Sequence, residues 1–196
     1  AEARVKSMFG LSSSTVDLTS FDPVTGVEDG STDADAIMSA GIQLQNTIVQ
    51  AASILQGAGG SSVSLADAVT AVIDQLASTL AGGTNPLASA ANLQSLITGA
   101  AGSSSLGLSS DAQSQVGSAA GTAATILYDC NEAADNLGTS GTALLESLAK
   151  IAYVSQTSSA QALYDAMNAV QGTTGTPDLS GASSNYSGSN LNTAIS

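Results

Sequence analysis

Apolar residues recur at three- and four-residue spacing along most of this chain, and Gly, Ser and Pro interrupt the pattern at regular intervals. A first short helix covers residues 1–9 and is stopped by Gly10. Residues 11–26 read as irregular, with Pro23 and Gly26 marking a turn. A long helix is predicted from Asp33 to about Gln56, with Ile37, Gly41, Leu44, Ile48, Ala52 and Leu55 on its inner face and Gln43, Asn46, Gln50 and Ser53 outside. Ser64 and Asp67 stand in capping-box positions before a helix whose buried stripe is Leu65, Val69, Val72, Leu76 and Leu80. Asn85–Pro86 opens a shorter helix that ends at Gly99.

Ser110, with Gln113 three positions on, starts the longest predicted element, which ends at Gly138. Its residues Val116, Ala120, Ala123, Leu127, Cys130, Ala134 and Leu137 form a heptad seam. Gly117 and Gly121 add a small-residue face suited to a close backbone neighbour. Residues 140–156 and 158–171 form two helices, or one helix broken near Thr157–Ser159. The expected fold is an all-α antiparallel bundle of five to seven helices over residues 1–172. An irregular Gly/Ser/Asn-rich tail or linker, 173–196, follows and docks through Leu179, Tyr186, Leu191 and Ile195.

Composition changes this picture in two ways. Aromatic residues are 3% of the chain and Trp is absent, so the core must be built from Ala, Leu, Ile and Val. The net charge is −13, from 16 acidic and 3 basic residues, which removes the cationic footprint that nucleic acid requires. No apolar run reaches the roughly 18 residues that a membrane-spanning helix needs. Sparse cations, a single cysteine and a surface of Ser, Thr, Asn and Gln fit an extracellular or cell-surface setting. A chain beginning at Ala1 reads as processed or as excised from a longer protein.

Candidate chemistry is thin. Glu28, Asp29, Asp33 and Asp35 crowd around Gly30 and suggest a calcium loop. An EF-hand register starting at Asp29 puts Ala34 at the glycine position and Ala40 at the closing glutamate. A helix start explains these residues better, with Thr32 as N-cap and Asp33 and Asp35 in a first turn that favours anions. An irregular calcium site from Glu28, Asp29, Asp33 and backbone carbonyls is the alternative. With no His anywhere, Cys130 lacks a base to activate it and reads as a small core residue. Ser147 and Lys150 spell S-x-x-K without its usual partner motifs, and a Glu146–Lys150 ion pair accounts for the lysine. Asp129, Glu132 and Asp135 are spaced to face water, and the four tyrosines look too scattered for a sugar platform.

The stretch with Gly10, Leu11, Asp17, Leu18, Phe21, Asp22 and Pro23, followed by Gln43, Gln45, Asn46 and Thr47, resembles a helical module of large bacterial secreted or cell-surface proteins. Those proteins are adhesin-like and carry calcium-binding repeats elsewhere, and YSGSNLNTAIS looks like a hand-over to a β-rich module. The resemblance implies a non-catalytic structural or adhesive module whose partners are covalent neighbouring domains or other surface proteins. A self-assembling extracellular filament subunit and a helical domain for a small apolar ligand are the alternatives.

Overall fold

The computed structural model describes residues 2–8, 11 and 15–196. Among them the elements are α1 (Glu2–Met8), α2 (Pro23–Glu28), α3 (Thr32–Gly59), a 3-10 turn (Gly60–Ser62), α4 (Leu65–Ala81), α5 (Ala90–Ala101), α6 (Ser110–Asp135), α7 (Gly141–Tyr153), a π-helical segment (Val154–Ser159), α8 (Ala160–Asn168), α9 (Ser180–Tyr186) and α10 (Gly188–Ala194). The chain is an all-α helical bundle, with no strand among the described residues. Gly10, expected to stop the first helix, lies outside them.

Five rods carry the bundle: α3, α4, α5, α6 and the continuous α7–π–α8. Helix α3 is the hub, packing on α4, α6 and α8. It runs antiparallel to α6, because Gln43 meets Asp135 and Thr47 meets Asn131. It runs parallel to α7–π–α8, because Asn46 meets Gln156 and Gln50 meets Ser159. One core of Ala, Leu, Ile and Val joins α3, α4, α5, α6 and α8. A second, smaller cluster of Val27, Ala34, Ala134, Leu144, Leu148 and Ile151 sits where α2, α7 and the adjoining ends of α3 and α6 meet.

The α6 seam is as expected up to Ala134: Val116, Ala120, Ala123, Leu127, Cys130 and Ala134 are fully buried, while Leu137 lies past the helix end at Asp135 and is half-buried against the smaller cluster. Ser64 also caps α4 as expected, accepting from the Asp67 amide at 3.1 Å while its hydroxyl donates to the Asp67 carboxylate at 2.6 Å. Other starts differ. Residues 23–28 are helical rather than a turn, because the Asp22 carboxylate accepts from the Val24 and Thr25 amides and Pro23 tolerates the first helical position. Hydrogen bonds from the Thr25 hydroxyl and amide hold the Asp22 carboxyl below its ordinary pKa. Ser31, not Thr32, caps α3, and Ser109, not Ser110, caps α6. Helix α5 begins at Ala90, since the Asn85 carbonyl oxygen of the side chain folds onto the Leu87 amide and closes a turn first.

Tail residues Leu179 and Leu191 are buried, and Tyr186 and Ile195 pack against the main core, the four contacts anticipated. Two short helices, α9 and α10, replace part of the expected irregularity. The Asp129 carboxylate fastens α10 by accepting the Gly188 amide at 2.8 Å.

Lys150 is exposed in α7, between the buried Leu148 and Ile151. Trypsin is expected to nick the native protein in α1, at Arg4 or Lys6, while leaving Lys150 uncut until denaturant is added. Mass mapping of a digestion time course checks this, and rapid native cleavage after Lys150 would mean that α7 is undocked.

Candidate functional site

The acidic loop connects two helices. Glu28 ends α2, Asp29 follows as its C-cap, and both are exposed. Gly30 turns the chain with φ of 80°, and Asp33 and Asp35 fall in the first turn of α3. Among the described residues, no group of three or more His, Cys, Asp or Glu is placed to hold a metal ion.

The S-x-x-K residues do not meet. The Ser147 hydroxyl donates to the Ala143 carbonyl of its own helix, and Lys150 Nζ donates to the Ser196 carbonyl at 3.1 Å rather than pairing with Glu146. Asp129, Glu132 and Asp135 each hold a neighbour, respectively the Gly188 amide, the Asn136 side chain and the Gln43 side chain. Glu132 chiefly, by its charge, also pushes the Tyr128 hydroxyl above its ordinary pKa.

Of the polar face assigned to α3, Gln43 alone stays half-exposed, and the other three residues are turned into the bundle. Asn46, Thr47 and Gln50 are fully buried and Ser53 nearly so, because α6 packs on one flank of α3 and the π–α8 segment on another, whereas Gly41, expected inside, is exposed. Their partners come from two other rods. Asn131 Nδ2 donates to Thr47 Oγ1 at 2.9 Å, Gln156 Nε2 to Asn46 Oδ1 at 3.1 Å, and Ser159 Oγ to Gln50 Oε1 at 3.0 Å. Asn46 Nδ2, Gln50 Nε2 and Asn131 Oδ1 are buried with no protein partner, a costly arrangement. Burial here pushes the Cys130 thiol above its ordinary pKa, outweighing the pull of the neighbouring Ser155 and Gln50 side chains.

Two consequences follow for Cys130. In the native state it is expected to react with a thiol reagent only at the rate of unfolding. Its raised folded pKa means that the native state keeps a proton which the unfolded chain loses from about pH 8.5. Stability is therefore intact below that pH and falls as pH climbs toward the folded value, by up to about 1.4 kcal/mol per pH unit from this group. Denaturation of wild type and Cys130→Ala between about pH 7 and 10 measures the difference, and parallel curves would contradict it.

Alongside this buried layer lies an open groove of about 590 Å³, within the ordinary range for ligand sites. Helix α3 supplies Val49, Ser53 and Gln56 at spacings that place them on one face. The Ser64 cap turns the chain so that Leu65 stands at the edge, 49% exposed instead of buried. Tyr153 ends α7 at 68% exposure, the π segment adds Gln156, Thr157 and Ser158, and α8 adds Ala160, Gln161 and Tyr164. No charged side chain lines the groove. Tyr153 and Tyr164 therefore share a site although they look scattered in sequence. Their spacing is about three helical turns, a signal visible once residues 141–168 are read as one rod. The other two tyrosines lie elsewhere, against the core.

A close approach of backbones occurs, but not at Gly117 and Gly121. A side-chain carbon at Gly117 would have nothing within 4 Å, whereas at Gly57 it would lie 2.6 Å from the Tyr164 carbonyl oxygen. Gly57 thus lets α8 sit against α3 at Tyr164, which lines the groove. Compared with family models, curated proteins and solved structures, the chain has no match.

Proposed function

We propose that this domain is a non-catalytic structural or adhesive module of a secreted or cell-surface protein, held in place by covalent neighbours. The observation that supports it is the use of the chain's three cations. Arg4 donates to the Leu80 and Ala81 carbonyls, at 3.2 and 2.6 Å, where the α4 dipole is negative. Lys6 pairs with Glu2 at 2.9 Å, and Glu2 accepts the Leu18 amide, drawing the following segment in. Lys150 holds Ser196. Positive charge thus fastens the first and last segments to the bundle, so that tension from flanking domains enters a packed core. The remaining surface is anionic or neutral and presents little to hold another copy.

An antibody against the folded domain should label intact source cells or their secreted fraction. Labelling only after permeabilisation would reject the extracellular setting. The self-assembling filament subunit is separated by sedimentation with and without millimolar calcium, where a monomer is expected in both. A stable oligomer in either would put the filament first. The exposed Tyr153 groove favours the adhesive form of the module over a purely structural one.

A further inference from the structure

We infer that the groove between α3, the start of α4 and the π–α8 segment binds an uncharged saccharide chain, an assignment that rests on the adhesive reading above. The lining selects the class. Gln56, Gln156 and Gln161 each carry both a donor and an acceptor, and Thr157 and Ser158 add hydroxyls, the complement that a sugar's hydroxyl groups require. An ionised ligand finds no counter-charge there, and an anion is also repelled by a chain of net charge −13.

The two tyrosines supply the apolar half of the recognition. The chain has only six aromatic residues, 4 Tyr and 2 Phe, yet Tyr153 is left 68% exposed at the groove. A phenol offers a flat apolar face with a polar tip, which suits the C–H face of a pyranose ring.

The polar groups are also held in advance. Gln156 is fixed from behind by the buried Asn46, and Gln161 Nε2 donates to Asp165 at 2.8 Å. The Thr157 hydroxyl is tied to the Tyr153 carbonyl. Ordering these side chains before the ligand arrives lowers the entropy lost on binding. A peptide is the weaker fit. A peptide strand needs a sheet edge and a docked helix needs a continuous apolar surface, whereas Gln56, Gln156 and Gln161 interrupt this lining with amides.

Titration of the isotopically labelled domain with neutral oligosaccharides of glucose, mannose, galactose and N-acetylglucosamine, followed by amide chemical shifts, tests the assignment. At least one series should shift groove amides with a Kd of about 1 mM or tighter, and Tyr153→Ala should weaken it about tenfold. Tyr153 is too exposed for its removal to unfold the bundle, and an unchanged helical circular dichroism spectrum verifies this. No groove shifts with any sugar at about 10 mM, or equal affinity in Tyr153→Ala, would overturn the saccharide. Tyr153-dependent shifts with peptides alone would overturn it too. Beads carrying the domain separate this failure from failure of the adhesive reading. Adhesion to cells that survives periodate oxidation of their glycans defeats the saccharide but keeps the adhesive module, and adhesion lost on oxidation supports both.

Discussion

Asn131→Asp should leave the domain close to wild-type stability at about pH 4 and cost roughly 4 kcal/mol at pH 7. Asn131 is 3% exposed on α6, with Nδ2 on Thr47 Oγ1 and Oδ1 buried without a partner. A protonated carboxyl has nearly the shape of the amide it replaces. Ionising it there would place a charge among apolar and neutral polar groups, on the same helix as Asp129, Glu132 and Asp135. The introduced group therefore keeps its proton well above the ordinary carboxylate range. A folded pKa above the unfolded one makes the native state bind more protons, so stability falls as pH rises from about 3.9. If the folded value reaches 7, the difference is about 1.4 kcal/mol for each of roughly three pH units. Urea denaturation of both proteins across this range reads it directly. A pH-independent difference would show that water reaches position 131.

Gly57→Val should destabilise by about 3 kcal/mol, the upper range for overpacking. The new side chain would begin 2.6 Å from the Tyr164 carbonyl and 2.8 Å from Met167 Cβ, and backbone cannot step aside as a flexible side chain would. The strain forces α8 off α3, and because Tyr164 lines the groove its shape changes as well. Gly117→Ala is the contrasting case, at a glycine with no close neighbour. It occupies an exposed helical position with open space around it, so replacing glycine should stabilise by about 1 kcal/mol through helix propensity. Equal effects at the two glycines would mean that α3 and α8 do not approach as described.

The contrast between these glycines marks how far the sequence carries. Small residues at four-residue spacing predict that a face is able to accept a neighbour, but not which glycine receives one. The α6 seam was readable because one side of that helix is buried and the period alone locates it. Helix α3 was readable in extent but not in orientation, since Asn46 and Gln50 look like part of a wet face and are covered by the π segment. The hint lay in Asn131, a polar residue beside Cys130 and four positions after Leu127 on the buried side of α6. Local side-chain chemistry misled at Pro23 and Asn85, where one cap created a helix and the other delayed one. The groove escaped notice because its tyrosines were assigned to separate helices. The acidic loop was readable as a helix start, shifted by one residue from Thr32 to Ser31.

The π segment sets the rotational phase of that rod. The Ala160 amide reaches back to the Ser155 carbonyl, five residues away, so each turn there holds more chain than an α-helical turn. This lets buried positions recur at Ile151, Ser155, Ser159, Leu163 and Met167 without drifting around the axis. One residue added at the start of α8, where no wide turn absorbs it, would rotate everything beyond it by about 100°. Leu163 and Met167 would swing out of the core, and Tyr153 and Tyr164 would no longer face the same groove. A polar stretch that resembles a surface linker is therefore a phase setter, holding one more residue than α-helical turns would for the same rotation.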